Sequence, residues 1–283
     1  MAEESKIQWT ENTWNPWHGC TKISPGCKFC YMYRDKDRYG QDPTTVMRSK
    51  TKFKEPLKWK EPKLIFTCSW SDWFIEDADE WRDEAWEIIK NTPQHTYQIL
   101  TKRPERIADH LPEDWGEGYP NVWLGVSVEY TKYVPRILKL IGIPAKVRFV
   151  SFEPLLGPID LDYPKGINDV QLVESDSPFS SNEYPANPPI TYHMAHFIHW
   201  AIIGGESGND TGKYRYRPCK KEWIEWLLRD LKEAKIPTFV KQLGTHLAKE
   251  QGCKDRHGGN MEEWPDWLQV REMPEIFEQK PNA

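Results

Sequence analysis

Leu64-Ile-Phe-Thr-Cys-Ser-Trp-Ser-Asp72 is an apolar, β-rich run that stops in small polar residues, and together with the stretch after it this run decides the fold. An amphipathic stretch comes next over 79–90, with Trp81, Ala85, Ile88 and Ile89 on one face and acids in its first turn. A second β-rich run, 97–100, ends in Thr101-Lys102-Arg103-Pro104 and leads into a short helical stretch. Strand, helix and strand in this order form the unit of a parallel sheet with right-handed crossovers.

The same rhythm continues outward. Strands are expected over 122–128 and 146–152 with a helix over 133–140 between them, and a further strand over 199–203 ends in Gly204-Gly205-Glu206-Ser207-Gly208. The clearest helix is 220–234, where Trp223, Ile224, Leu227, Leu228 and Leu231 form an apolar stripe. The last strand, 238–240, ends in Lys241-Gln242. Polar residues recur at the strand ends: Ser71 and Asp72, Lys102 and Arg103, Ser127 and Glu129, Ser151 and Glu153, Glu206, then Lys241 and Gln242. That rim is where ligands bind in open and in closed parallel sheets, although a strand end also simply leads into a polar loop. The expected fold is α/β: a partial (curled, open) parallel β/α barrel over 1–244, interrupted by an insertion at 160–198, with a C-terminal extension over 245–283. The insertion is rich in Pro, Ser and Asn and is too long for an ordinary connection, which makes it either a lid or a mobile excursion.

Composition bounds the function. The 283 residues are 38% hydrophobic, 29% charged and 13% aromatic, a globular balance, and 15 are Trp. Neither a membrane-length apolar run nor a charged-then-apolar leader is seen, so a soluble, cytoplasmic protein without a membrane partner is expected. A net charge of −5 argues against a protein that coats nucleic acid non-specifically, while leaving room for a local basic groove. Two basic stretches carry interleaved aromatics: Arg48 to Lys63 with Phe53 and Trp59, and Lys213 to Lys221 with Tyr214 and Tyr216. They suit phosphate contact and base stacking, or equally a solvated charged surface.

The strongest chemical signal is Cys20-Thr-Lys-Ile-Ser-Pro-Gly-Cys27-Lys-Phe-Cys30. Cys27 and Cys30 are spaced to present two thiolates to one metal centre, and the Pro25-Gly26 turn folds Cys20 back to join them. Thiolates are the usual ligands of iron–sulfur clusters, and three of them leave one iron of a four-iron cluster open to a small ligand. Zinc on three cysteines and His18 is the alternative, but a zinc knuckle usually shows a second tight ligand pair. Cys68, Cys219 and Cys253 have no such spacing.

With Phe29 just before the third cysteine, this loop resembles that of the radical S-adenosylmethionine (SAM) superfamily. The superfamily usually places three residues between the first two cysteines; here there are six. The longer gap is similar to that of a phage and prokaryotic branch with a three-cysteine motif. Members carry runs similar to Ile7-Gln-Trp-Thr-Glu-Asn-Thr-Trp-Asn-Pro-Trp-His-Gly-Cys20, Ser71-Asp72-Trp73-Phe74, Leu100-Thr-Lys-Arg-Pro104, Gly125-Val-Ser-Val-Glu129, Ser151-Phe-Glu-Pro-Leu-Leu156, Gly204-Gly-Glu-Ser-Gly208 and Val240-Lys-Gln242. The resemblance covers about residues 7–244.

The resemblance implies a 4Fe-4S cluster on Cys20, Cys27 and Cys30 that opens SAM to methionine and a 5′-deoxyadenosyl radical. It offers Tyr31, Ser71, Asp72, Ser127 and Glu129 to SAM, with Asp72 and Ser127 foremost. By their charges, Glu153, Glu206 and Lys241 would handle a substrate bearing both signs, and Lys102 and Arg103 a carboxylate or phosphate, unless these groups form an internal salt-bridge network. Arg215 and Arg217 belong to the expected nucleic-acid surface. Phage members of the branch look like enzymes of thymidine hypermodification, in which an isomerase moves glycine on the thymidine 5-methyl carbon from nitrogen to carbon linkage. The implied partners are DNA carrying modified thymidine and an electron donor such as flavodoxin, in the host cytoplasm if the chain is phage-encoded. Other expectations are a different radical SAM lyase or repair enzyme, or a zinc-binding nucleic-acid module without catalysis.

Overall fold

The computed structural model describes residues 5–164 and 191–275. The chain divides into two compact units. The first comprises the described residues of Met1–Ser127 with Ala145–Val147 and Gly208–Tyr216; the second comprises those of Val128–Pro144, Arg148–Ser207 and Arg217–Ala283.

In the first unit β1 (Asn12–Trp14) leads to a short antiparallel pair, β2 (Trp17–His18) with β3 (Met47–Arg48), and the helix α1 (Tyr31–Arg38) lies between those two strands in the chain. Then come β4 (Leu64–Thr67), α2 (Asp79–Lys90), β5 (Thr96–Thr101) and β6 (Val122–Ser127). β4 lies between β1 and β5, and β5 between β4 and β6, all parallel. α2 keeps acids in its first turn and Lys90 in its last, and turns Ala85, Trp86, Ile88 and Ile89 inward. β6 is buried along its whole length, as a parallel strand covered on both faces requires.

The many tryptophans serve this core. Trp14, Trp17 and Trp73 are fully buried. Their ring centroids lie 5.7 Å (Trp14 to Trp73) and 5.1 Å (Trp17 to Trp73) apart, and Trp86 continues the chain 5.0 Å from Trp73. A buried indole N–H usually finds an acceptor; Trp73 Nε1 has none among the described residues. Trp14 donates to the carbonyls of Lys52 and Phe53, and Trp17 donates to the Asp72 carbonyl at 3.1 Å.

The short helix expected after Arg103 is replaced by two 3-10 turns, Pro104–Arg106 and Ala108–His110. Pro104 and Pro112 bracket too few residues for the costly first turn of an α-helix to propagate.

The second unit contains α3 (Pro135–Ile141), β7 (Val147–Phe152) from Arg148 onward, β8 (Asp162–Pro164), β9 (Thr191–His193), β10 (Trp200–Gly204), α4 (Lys221–Glu233), β11 (Thr238–Gln242) and α5 (Gly244–Glu250). β10 is flanked in parallel by β7 and β11. Ile224, Leu227 and Leu231 of α4 are buried, while Trp223 and Leu228 of the expected stripe are only half-buried. β8 and β9 pair antiparallel at the base of the insertion, whose residues 165–190 lie outside the described ones. Near the C-terminus, Val270 accepts from the Val240 amide at 2.8 Å and Glu272 donates to the Thr238 carbonyl at 2.9 Å. That segment satisfies backbone groups along β11.

Within the first unit the parallel strands follow the order β1-β4-β5-β6, and within the second β7-β10-β11. In each the order rises along the chain without reversal, as it does in a β/α barrel. The fold is therefore mixed α/β on a parallel sheet. Among the described residues, no helix is long and apolar enough to cross a membrane.

Candidate functional site

The cysteine loop is anchored at both ends. Gly19 has a φ of +100°, and a side chain there would meet the Thr45 carbonyl oxygen at 2.2 Å, so only glycine fits. Its amide donates to the Trp70 carbonyl at 3.0 Å, and its own carbonyl accepts from Ser71 Oγ at 2.6 Å. Cys20 donates its amide to Pro43, also at 3.0 Å. Cys27 ends a 3-10 turn, Pro25–Cys27, and its sulfur lies 3.6 Å from Ser24 Oγ. Cys30 caps α1, where the positive end of the helix dipole favours a thiolate. Lys22 Nζ closes the loop on the Lys28 carbonyl at 3.0 Å.

Beneath the loop, Met32, Tyr33 and Tyr214 form a small buried core against which Cys20, Phe29, Cys30 and Trp70 pack. The Tyr33 hydroxyl donates to the Cys20 carbonyl. Lys213 Nζ and the Tyr214 hydroxyl both donate to the Asp37 carboxylate on α1, which ties residues 208–216 to that helix.

All three cysteines are free thiols. Burial, then the charge of Asp72, pushes the Cys20 thiol up to about 12, against the pull of the Arg103 guanidinium. Burial also raises the Cys30 thiol. Tyr33 is raised to about 12 by burial and then by the charges of Cys20, Cys30 and Cys27, which puts all three sulfurs within electrostatic reach of one phenol. The desolvated sulfurs of Cys20 and Cys30 are unfavourable as bare thiolates and become favourable when a cationic core takes up their charge. Soft donors so arranged fit an iron–sulfur cluster. Among the described residues, no three His, Cys, Asp or Glu side chains are gathered as a cage for a single ion.

Around this loop the remaining expected residues of the first unit divide by what they touch. Tyr31 starts α1 with an exposed ring, and its hydroxyl donates to the Ser69 carbonyl. Asp72 is buried and accepts from Thr101 Oγ1 at 2.6 Å, from the Phe74 amide at 3.0 Å and from the Lys102 amide at 2.9 Å. Arg103 lies 3.4 Å from Asp72 and contacts Cys20 and Thr21, so its guanidinium turns to the cysteine loop rather than outward to a substrate. Lys102 is half-buried, Ser127 is buried at the end of β6, and Arg215 is exposed. Cys68, just past β4, takes a φ of +54°, a conformation costly for any residue but glycine.

In the second unit the charged strand ends pair with one another. Glu129, fully buried, accepts from Arg136 at 2.9 Å. Glu153 accepts from Lys241 Nζ at 2.7 Å and from Gln242 Nε2 at 3.4 Å. Glu206 is clasped by Arg217 through its amide at 2.8 Å and its guanidinium, with Nε at 2.9 Å. Arg217 therefore sits in an ion pair instead of on an open basic surface. Gly204 and Gly205 pass close to their neighbours: a side chain on Gly205 would strike the Leu243 carbonyl oxygen at 2.0 Å.

The basic–aromatic stretches also turn partly inward. Phe53 is buried under the Arg48 guanidinium, 3.8 Å from its ring centroid, and Tyr214 is buried as well, so neither presents a face for base stacking. Arg48 and Lys54 both pair with Glu84, at 2.6 and 3.2 Å. Sequence reading missed Thr101, Tyr33, Asp37 and Arg136. Tyr33 has a usable signal, three residues beyond Cys30 on the first turn of a helix that the cysteine caps.

No curated protein and no solved structure gives a significant match to the chain. Residues 4–272, nearly its whole length, match one family, and the chain thus belongs to the family described as "Protein of unknown function (DUF5131)".

Proposed function

We propose that this protein is a radical SAM enzyme whose 4Fe-4S cluster is held by Cys20, Cys27 and Cys30. The observation that carries the reading is the grouping of three free cysteines on one anchored loop, over a buried aromatic seat and beside the Arg103 guanidinium. When bound, such a cluster supplies one electron that opens SAM to methionine and a 5′-deoxyadenosyl radical.

The chain's own residues bind and orient. Tyr31, with its exposed ring, is the candidate for an adenine contact. Ser71 and Asp72 act by holding the cysteine loop and the strand ends, and Glu129 acts through Arg136. Ser127 stays a candidate for SAM at the end of β6.

For the substrate we propose glycyl-thymidine in phage-type DNA, isomerised from nitrogen to carbon linkage in the host cytoplasm, with an electron donor such as flavodoxin. A glycyl group carries an amine and a carboxylate, and Glu153, Glu206 and Lys241 would meet it by exchanging their present partners, Glu153 with Lys241 and Glu206 with Arg217. Lys102 and Arg215 are the candidates for backbone phosphate.

Anaerobically reconstituted protein, given dithionite and SAM, is expected to form 5′-deoxyadenosine. Glycyl-thymidine DNA left unchanged while 5′-deoxyadenosine accumulates would refute the substrate and keep the cofactor chemistry; no 5′-deoxyadenosine at full iron loading would refute both.

A further inference from the structure

Arg103 is only 2% exposed, yet its guanidinium reaches three parts of the chain. One terminal nitrogen lies 3.9 Å from Cys20 Sγ. The other donates to the Thr21 carbonyl at 3.2 Å and to the Thr21 hydroxyl at 2.7 Å. From behind, Asp72 lies 3.4 Å from the first nitrogen and Glu76 lies 3.4 Å from Nε. The Arg103 amide is itself fixed on Thr101 Oγ1 at 2.9 Å. Two carboxylates and a capped turn thus aim a rigid, permanently charged fork at the start of the long gap between Cys20 and Cys27.

That gap is the weak point of the motif. Six residues separate Cys20 from Cys27, and a longer loop costs more entropy to close. The Arg103 fork holds Cys20 and the first residue of the gap, Thr21. Lysine keeps the charge and lacks the second nitrogen that reaches Thr21. A fixed positive charge and a hydrogen-bond donor at a cluster sulfur also favour the reduced, more negative cluster.

We infer that Arg103 is a positioning residue of the cysteine centre: it holds Cys20 and Thr21 across the long gap and raises the reduction potential of the bound iron–sulfur cluster. The inference rests on the cluster proposed for Cys20, Cys27 and Cys30. Glu76, exposed and 3.4 Å from Nε, leaves the guanidinium held mainly by Asp72, Thr21 and Cys20.

The test uses the full chain, reconstituted without oxygen, as wild type, Arg103→Gln, Arg103→Lys and Thr21→Val. Iron and sulfide content, the midpoint potential by electron paramagnetic resonance titration, and hydrogen exchange at the Cys20 and Thr21 amides of the cluster-free protein are measured. Arg103→Gln is expected to retain iron, to shift to a more negative potential, and to exchange on the order of tenfold faster at the loop amides. Arg103→Lys should restore most of the potential and little of the exchange protection. Thr21→Val, at an exposed position, should quicken exchange and leave the potential in place. Wild-type potential and wild-type exchange in Arg103→Gln overturn the inference. If Arg103→Gln does not fold, Arg103→Lys decides: fast exchange with a retained potential sustains it, and no change in exchange overturns it. Wild-type protein that takes up no iron sinks the cluster reading, and exchange then judges the positioning role by itself.

Discussion

Asp72, just past β4, and Thr101, the last residue of β5, are joined by a 2.6 Å hydrogen bond from hydroxyl to carboxylate. The other carboxylate oxygen accepts the Lys102 amide at 2.9 Å and lies 3.4 Å from Arg103. A buried carboxylate thus fastens two neighbouring strand ends and braces the arginine that faces Cys20. The rim above a parallel sheet has to satisfy its own backbone and charges before it can hold a ligand.

Asp72→Ala is expected to be strongly destabilising, because it strands a buried guanidinium and removes the carboxylate that accepts from Thr101 Oγ1 and the Lys102 amide. Breaking a buried pair costs about 3–5 kcal/mol. Urea unfolding measures it as a lower midpoint at unchanged slope. A loss below about 1 kcal/mol, the scale of an exposed pair, would show that Asp72 is not a structural staple and return it to the cofactor.

Sequence showed the parallel strands β4 to β7, β10 and β11 with α2, α3 and α4, because buried strands carry uninterrupted apolar runs and α2 and α4 carry helical stripes. α2 falls on 79–90, the range its periodicity gives. It also showed the cysteine loop, whose spacing is local. What it did not show is partnership. Glu153 and Lys241, or Asp72 and Thr101, are far apart in the chain, and only the parallel register brings them into contact. For Arg103 the sequence shows a charge that suits a substrate or an internal network, and not the burial that joins it to Asp72. Phe53 looked like a stacking ring for the same reason.

Glu129 and Arg136 lend themselves to a double-mutant cycle. Arg136→Met takes the Arg136 cation away from a fully buried carboxylate and should cost about 3–5 kcal/mol. Adding Glu129→Gln should recover at least about 1 kcal/mol of that, since the stranded charge is gone. Additive losses in chemical denaturation would mean that the two residues do not act as a pair.

Gly205→Ala places a methyl against the Leu243 carbonyl oxygen, where an ideal Cβ would sit at 2.0 Å. The neighbour is backbone at the start of α5, which cannot rotate away. Overpacking of this kind costs about 1–3 kcal/mol. Thermal unfolding unchanged from the wild type would disprove the close approach.

The hold of Asp37 on residues 208–216 has a pH limit. Hydrogen bonds from Lys213 and then Tyr214 hold the Asp37 carboxyl below its ordinary value of 3.8. A depressed folded-state value means that the contribution is complete above 3.8 and is lost as pH falls through the lower, folded value. Exchange at the Asn209 and Tyr216 amides, which bond within this segment, should therefore quicken on acidification below 3.8. Asp37→Asn should remove that pH dependence. A wild-type and a variant profile that coincide would contradict the tether.

A cluster on Cys20, Cys27 and Cys30 is tested most directly by iron and sulfide analysis of protein reconstituted without oxygen, as wild type and as Cys27→Ala. About four iron and about four sulfide per wild-type chain are expected, with broad absorbance at ~400 nm, and loss of both in Cys27→Ala. Cys219→Ala should keep the full complement, because that buried thiol lies outside the loop. A colourless wild-type protein carrying about one zinc per chain would contradict the cluster.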